Sequence, residues 1–232
     1  MKTLLNKLIS YIKLAYGAIV VFFTGLLCGI NPKGELKYRK KCSKKLIDLV
    51  AQNIEIEGKP DKEAQLLIGN HTHNLDIALM ESVIDEKLIW VAKKELGEIP
   101  VIKYMLTKTD MILVDRSNKS SVIKMLKEIK DRTKKGYKVV LFPEGTRNKT
   151  DPTKMIKWKS GTKAVAEKLN LKIQPFVIIN LPFCFENGAI SKKKLKVVFL
   201  DSFYPNQNPN WFEETKHKMQ QILNKEYSKE KK

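Results

Sequence analysis

Apolar residues in the first stretch, MKTLLNKLISYIK, recur at helical spacing: Leu4, Leu5, Leu8, Ile9 and Ile12 share a side, with Lys2, Asn6, Lys7, Ser10 and Lys13 across much of the other. This predicts an amphipathic helix over residues 1–13. Leu14 to Ile30 then runs for 17 residues without a charge and includes Gly17, Gly25 and Gly29. A straight helix of that length spans about 26 Å, slightly short of the roughly 30 Å hydrocarbon core. Beyond residue 45 the period changes. Leu46–Ile56 reads as helix into strand, and Gly58-Lys59-Pro60-Asp61 as a turn. Short apolar runs at Leu66–Gly69, Lys87–Lys93, Met111–Val114, Val139–Phe142, Ile173–Ile179 and Leu195–Leu200 predict strands. Between them, Ser120–Lys135 puts Val122, Ile123, Leu126 and Ile129 on one face and is closed by Gly136; Thr162–Leu169 and Pro209–Glu226 are further helices, and Lys94–Pro100 opens a short helical excursion. Alternating strands and helices predict an α/β sheet with helices on both faces.

Charge changes the picture at the N-terminal end. The 232 residues carry 44 basic against 25 acidic side chains, a net +19, which implies a bulk anionic partner: nucleic acid or an acidic membrane surface. No helix-turn-helix, zinc-finger or RNA-binding aromatic pattern accompanies the charge, so nucleic acid is not the expected partner. Lys33, Lys37, Arg39, Lys40, Lys41, Lys44 and Lys45 follow the apolar run directly and should keep that side in the cytoplasm. Residues 1–45 are therefore expected to form a membrane-anchoring helical segment, with residues 1–30, as one helix or a bent pair, either embedded in one leaflet or spanning the bilayer. The remaining reading is a buried helix of a soluble core. Residues 46–232 would be a single catalytic domain. A cluster such as Lys192-Lys193-Lys194 reads as a solvated hairpin, or as a contact with anionic headgroups. Cys28, Cys42 and Cys184 are widely separated, and neither a disulfide nor a zinc site is expected.

Two stretches carry candidate chemistry. In Asn70-His71-Thr72-His73-Asn74-Leu75-Asp76, between a strand and a helix, His71 is the candidate base, and a bend at Thr72–Leu75 would return the Asp76 carboxylate to its imidazole. The alternative is a turn whose polar residues merely cap a helix. His73 competes for the role of base or is a solvated turn residue. The second stretch, Phe142-Pro143-Glu144-Gly145-Thr146-Arg147, follows a buried-strand pattern. Gly145 permits close backbone approach, Thr146 offers a hydroxyl and Arg147 a planar fork suited to phosphate. Of the arginines Arg39, Arg116, Arg132 and Arg147, two fall in candidate phosphate-binding blocks of a chain that otherwise uses lysine.

NH-x-x-x-x-D followed about seventy residues later by FPEGTR resembles the glycerolipid acyltransferase family, most closely its bacterial lysophosphatidate (1-acylglycerol-3-phosphate) acyltransferases. Val114-Asp115-Arg116 and Ile173-Gln174-Pro175-Phe176-Val177 resemble two weaker blocks, so the likeness covers roughly residues 60–200. Two departures stand out: Thr72-His73 where many members have Gln-Ser, and Asp110 where a glycine often precedes the Asp-Arg block. The resemblance implies a mixed α/β sheet flanked by helices, and an enzyme that moves a fatty acyl group from acyl-carrier protein or coenzyme A thioester to lysophosphatidate or another lysolipid. It implies His71 as base and Asp76 as its orienting partner. Arg147, Gly145, Thr146 and Arg116 would hold the phosphate, and Glu144 would shape that clamp and contact the glycerol. No bound cofactor or metal is implied, the thioester being a co-substrate, and the expected location is the cytoplasmic face of the bacterial inner membrane. The reading from another class is a non-catalytic basic protein that binds membrane or nucleic acid.

Overall fold

The computed structural model describes residues 2–115, 117–186 and 188–229. In chain order the elements are α1 (Lys2–Ile30), α2 (Glu35–Asp48), β1 (Ala51–Glu57), β2 (Leu66–Gly69), α3 (Leu75–Val83), β3 (Leu88–Lys93), α4 (Pro100–Thr107), β4 (Ile112–Val114), α5 (Lys119–Lys134) and β5 (Lys138–Leu141). There follow α6 (Ser160–Leu169), β6 (Ile173–Ile179), β7 (Phe185–Glu186), β8 (Ala189–Ile190), β9 (Lys193–Phe199) and α7 (Trp211–Lys229).

Seven strands form one sheet in the order β1-β9-β6-β2-β5-β3-β4, and β7 pairs with β8 in a separate hairpin. β6, β2, β5, β3 and β4 run parallel to one another, whereas β9 joins β6 antiparallel and carries β1 parallel to itself. The sheet is therefore mixed and flanked by helices. β2 and β6 are buried along their whole length, as continuous apolar strands between two helical layers must be. Successive residues feed opposite cores: Leu67, Leu88, Val140 and Phe176 lie with Ile47 and Leu79 beneath α2 and α3. Leu66, Ile68, Ile89, Val139 and Val177 lie with Ile129, Val165 and Met219 beneath α5, α6 and α7.

Two expectations change. Lys192–Lys194 do not form the tip of a hairpin; Lys193 and Lys194 open β9, paired with β1, because Leu195 and Val197 alternate inward from there. The hairpin lies earlier, at β7–β8. The boundary expected at residue 45 falls inside α2. That helix is lysine-rich outside but buries Arg39, whose guanidinium binds Glu35, Glu81 and the Leu88 carbonyl, while the Trp90 indole also donates to Glu81. This polar network ties α2 to α3 and β3.

α1 is one continuous helix from Lys2 to Ile30, and Leu4–Ile30 is long and apolar enough to cross a membrane by length and composition. Its exposure is inverted relative to a helix of a soluble protein. Ser10, Gly17, Thr24, Gly25 and Cys28 are buried, whereas Leu4, Leu8, Ile12, Ile19, Phe23 and Ile30 are exposed. The small residues let α1 approach closely: a Cβ on Gly25 would lie 2.8 Å from the Met105 amide nitrogen in α4. At its other end the Ile190 amide of β8 donates to Ser10 Oγ at 2.8 Å.

Candidate active site

β2 and β5 are neighbouring parallel strands, and each delivers one motif at its carboxyl end, where open α/β sheets place ligand sites. Gly69 ends β2 because a Cβ there would lie 2.2 Å from the Phe176 ring. Asn70 then leaves the sheet, while its side chain continues the pairing with β6. Nδ2 donates to the Ile178 carbonyl at 2.9 Å and Oδ1 accepts the Ile178 amide at 2.8 Å. The chain is thereby fixed immediately before His71.

Asp76 sits in the first turn of α3 and is fully buried. Its Oδ2 accepts from His71 Nδ1 at 2.8 Å and from the amides of Thr72 at 2.7 Å and His73 at 2.9 Å. The bend expected at Thr72–Leu75 therefore exists, and one carboxylate oxygen organises it. An ionised carboxylate only accepts, so Nδ1 of His71 carries hydrogen and the Nε2 lone pair is available as a base. The His71 ring also stacks on Phe142, with centroids 4.0 Å apart and planes 4° from parallel. Its side chain remains 16% exposed, which leaves a reactive edge accessible.

The FPEGTR turn holds the same residue from beneath. Glu144 Oε1 accepts the His71 amide at 3.0 Å, and the His71 carbonyl accepts the Asn148 amide at 2.7 Å. Glu144 is 1% exposed. Burial pushes its carboxyl up to about 7, opposed by the nearby His71 and Ile156 amides and reinforced by the Asp76 charge. Gly145 has φ +65°, a left-handed conformation natural to glycine, and its amide closes the turn onto the Phe142 carbonyl at 2.9 Å. Asn148, 4% exposed, braces the following loop by donating to the carbonyls of Asp151 and Lys154 at 2.6 Å each.

Thr146 is exposed and Arg147 half-buried beside the histidine loop. Arg39 is neutralised by Glu35 and Glu81, and Arg132 by Asp110; Arg147 has no carboxylate partner among the described residues. Asp110, the departure noted in the sequence, also binds Lys87. Arg116 lies outside the described residues. No group of three or more His, Cys, Asp or Glu side chains among the described residues is placed to hold a metal ion, and Cys28, Cys42 and Cys184 are unbridged and buried. Asn70, Phe142 and Asn148 were missed as site residues from sequence. Each stands next to or within a motif, but the spacing does not say that their bonds go to β6, to an imidazole face or to the His71 carbonyl.

His73 is not the solvated turn residue that one reading of the sequence expects. It is half-buried, stacked on Phe185 of β7 with centroids 4.1 Å apart, and its Nδ1 accepts the Leu75 amide at 3.2 Å.

Residues 52–179 match the family model described as Acyltransferase. A 1-acyl-sn-glycerol-3-phosphate acyltransferase of Helicobacter pylori is 39% identical over 192 residues, 82% of this chain and 80% of that protein. A 1-acyl-sn-glycerol-3-phosphate acyltransferase of Cocos nucifera is 28% identical over 171 residues, 73% of this chain and 54% of its own length. Among solved structures, the 1-acyl-sn-glycerophosphate (LPA) acyltransferase PlsC of Thermotoga maritima superposes with a TM-score of 0.73 at 19% identity, covering 97% of this chain and 95% of that one. That likeness supports the mixed α/β fold, and the two sequence matches carry the assignment further: the chain belongs to the acyltransferase family.

Proposed function

We propose that this protein transfers a fatty acyl group from an acyl thioester to the free sn-2 hydroxyl of lysophosphatidate, giving phosphatidate. The observation that carries the reading is the interlock of the two motif loops, which fixes the His71–Asp76 pair beside the loop of Arg147, a guanidinium without a carboxylate partner among the described residues. The Helicobacter and Cocos relatives, both 1-acyl-sn-glycerol-3-phosphate acyltransferases, suggest the acceptor. His71 Nε2 takes the hydroxyl proton as the oxygen attacks the thioester carbonyl carbon. Collapse of the tetrahedral intermediate breaks the carbon–sulfur bond, and the imidazolium returns the proton to the departing thiolate. The products are an ester and a thiol. This proton transfer through His71 is typically worth 10²–10⁴-fold, and Asp76 stabilises the imidazolium between the two steps. Arg147, with Thr146, Gly145 and Arg116, binds the acceptor phosphate. Acyl-carrier protein or coenzyme A carries the acyl group as a co-substrate, with no resident cofactor or metal in this scheme.

In this reading the reaction runs at a membrane, with α1 as the anchor, and the lysines that follow α1 support its cytoplasmic face. Contacts of α1 with the domain run from Ser10 to Gly29, about 29 Å of helix axis. A perpendicular crossing would draw β8 and α4 into hydrocarbon with it. A helix lying in one leaflet, its large side chains outward, leaves them at the surface.

The test is an acceptor panel with both thioesters. Lysophosphatidate should be acylated faster than monoacylglycerol, which lacks the phosphate, and Arg147→Lys should raise the KM for lysophosphatidate roughly tenfold, since a point charge does not reproduce a bidentate fork. An unchanged KM removes Arg147 from the clamp. Preference for monoacylglycerol overturns the choice of acceptor.

A further inference from the structure

His73 is held on three sides, and one donor is left over. Its amide is bound by Asp76, its ring is flat on Phe185 at an interplanar angle of 16°, and its Nδ1 accepts from Leu75. Phe185 is itself fixed: it pairs with Ile190, whose amide is anchored on Ser10 of α1. Because Nδ1 accepts, the proton of the neutral imidazole is on Nε2. Burial lowers the pKa of this ring, Arg147 and His71 lower it further, and Asp76 opposes them. The neutral form, with Nε2–H as donor, is therefore the one present near pH 7. Nε2 has no hydrogen-bond partner among the described residues, and the Asn148 amide bonded to the His71 carbonyl at 2.7 Å sets Arg147, which also has no carboxylate partner among them, beside the same loop. Two donors on adjoining loops, without acceptors among the described residues, fit one anion.

We propose that the Nε2–H of His73 donates to the phosphate of the acceptor alongside Arg147, so that His73 is a specificity-determining residue for phosphate-bearing acceptors. This rests on the acceptor assigned above. A guanidinium supplies charge, and a rigid neutral donor supplies direction. A hydroxyl of the kind common at this position in the family is shorter and rotates, whereas the stacked imidazole does not.

Two substitutions separate donor from packing. His73→Phe keeps a flat ring for Phe185 and loses the Nε2 donor together with the Nδ1 acceptor of the Leu75 amide; His73→Gln loses the stack but keeps a terminal N–H. His73→Phe should raise the KM for lysophosphatidate about tenfold, the equivalent of one hydrogen bond to a charged group. It should lower the kcat/KM for lysophosphatidate several-fold more than that for monoacylglycerol, and His73→Gln should recover part of the difference. An equal fall for both acceptors, or an unchanged lysophosphatidate KM in both variants, overturns the proposal. The wild-type protein gives a second reading should either variant misfold. The chain has three histidines, His71, His73 and His217, so the ring signals of His73 are resolvable by NMR. They should shift with glycerol 3-phosphate and not with glycerol, and absence of the shift also overturns the proposal. Failure of the acceptor assignment looks different: wild-type protein would then show no preference for lysophosphatidate over monoacylglycerol.

Discussion

Three residues apart, Glu144 and Arg147 use their charges in opposite ways. Arg147 is half-buried beside the histidine loop with no carboxylate partner among the described residues, while Glu144 is buried beneath His71 with Oε2 unpaired. From sequence both read as parts of one clamp, because residue types and spacing do not reveal which side of a turn faces inward. The His71–Asp76 pair was legible, since five positions across a strand-to-helix turn allow that contact. The neighbours of His73 were not, because Phe185 arrives from a hairpin more than a hundred residues later. Burial of Glu144 has a consequence for stability. Its native-state pKa is lifted from 4.5 to about 7, so the folded protein retains a proton that the unfolded chain releases. The stability it contributes is fully present below about 4.5 and is lost as pH rises to about 7. Glu144→Gln, which can still accept the His71 amide, should flatten that decline in the denaturation midpoint. An identical slope in both proteins would show that Glu144 titrates normally.

At the scale of elements, β2, β3, β4, β5, β6 and β9 were read within a residue or two, because continuous apolar runs of this length have few alternatives in a covered sheet, whereas the two-residue strands β7 and β8 are too short to show a pattern. α2 and α4 were harder. α2 faces the protein with Glu35, Arg39, Cys42 and Ser43 rather than with an apolar stripe, so its lysines dominate the pattern. α4 begins at Pro100 and is half-buried against α1, a partner that the sequence gives no reason to place there. α1 was recognised as apolar, but its inward stripe of small residues becomes meaningful only when the docking surface is known. That stripe leaves Leu4, Leu8, Tyr11, Ile12, Ile19, Phe23 and Ile30 exposed, an apolar surface far beyond what a soluble monomer usually tolerates. The full-length protein should therefore stay on membranes in high salt, which screens only the lysine contacts, and should come off in detergent. Release by salt alone would mean that attachment is electrostatic and that α1 is covered by something other than lipid.

On the scale of the whole molecule, one arrangement connects anchor to chemistry. α1 holds the β7–β8 hairpin through Ser10, the hairpin supports His73, and the loop that contains His73 closes on Asp76 and His71. From the other side, the loop after β5 grips the amide and carbonyl of His71. His71 is thus positioned by segments from three distant parts of the chain, the apolar helix α1 among them through the hairpin. A fold that brings these together through a mixed sheet explains why the two motifs occur as a pair: neither loop fixes the imidazole alone. The most direct measurement is phosphatidate formation from lysophosphatidate and an acyl thioester by purified protein and by its His71→Ala and Asp76→Asn variants, each checked for retained helix content and melting temperature. The wild-type protein should form product, His71→Ala should lose about 10²–10⁴-fold in kcat, and Asp76→Asn should fall markedly as the tautomer of His71 is no longer fixed. A folded His71→Ala protein that forms phosphatidate at the wild-type rate would contradict the account.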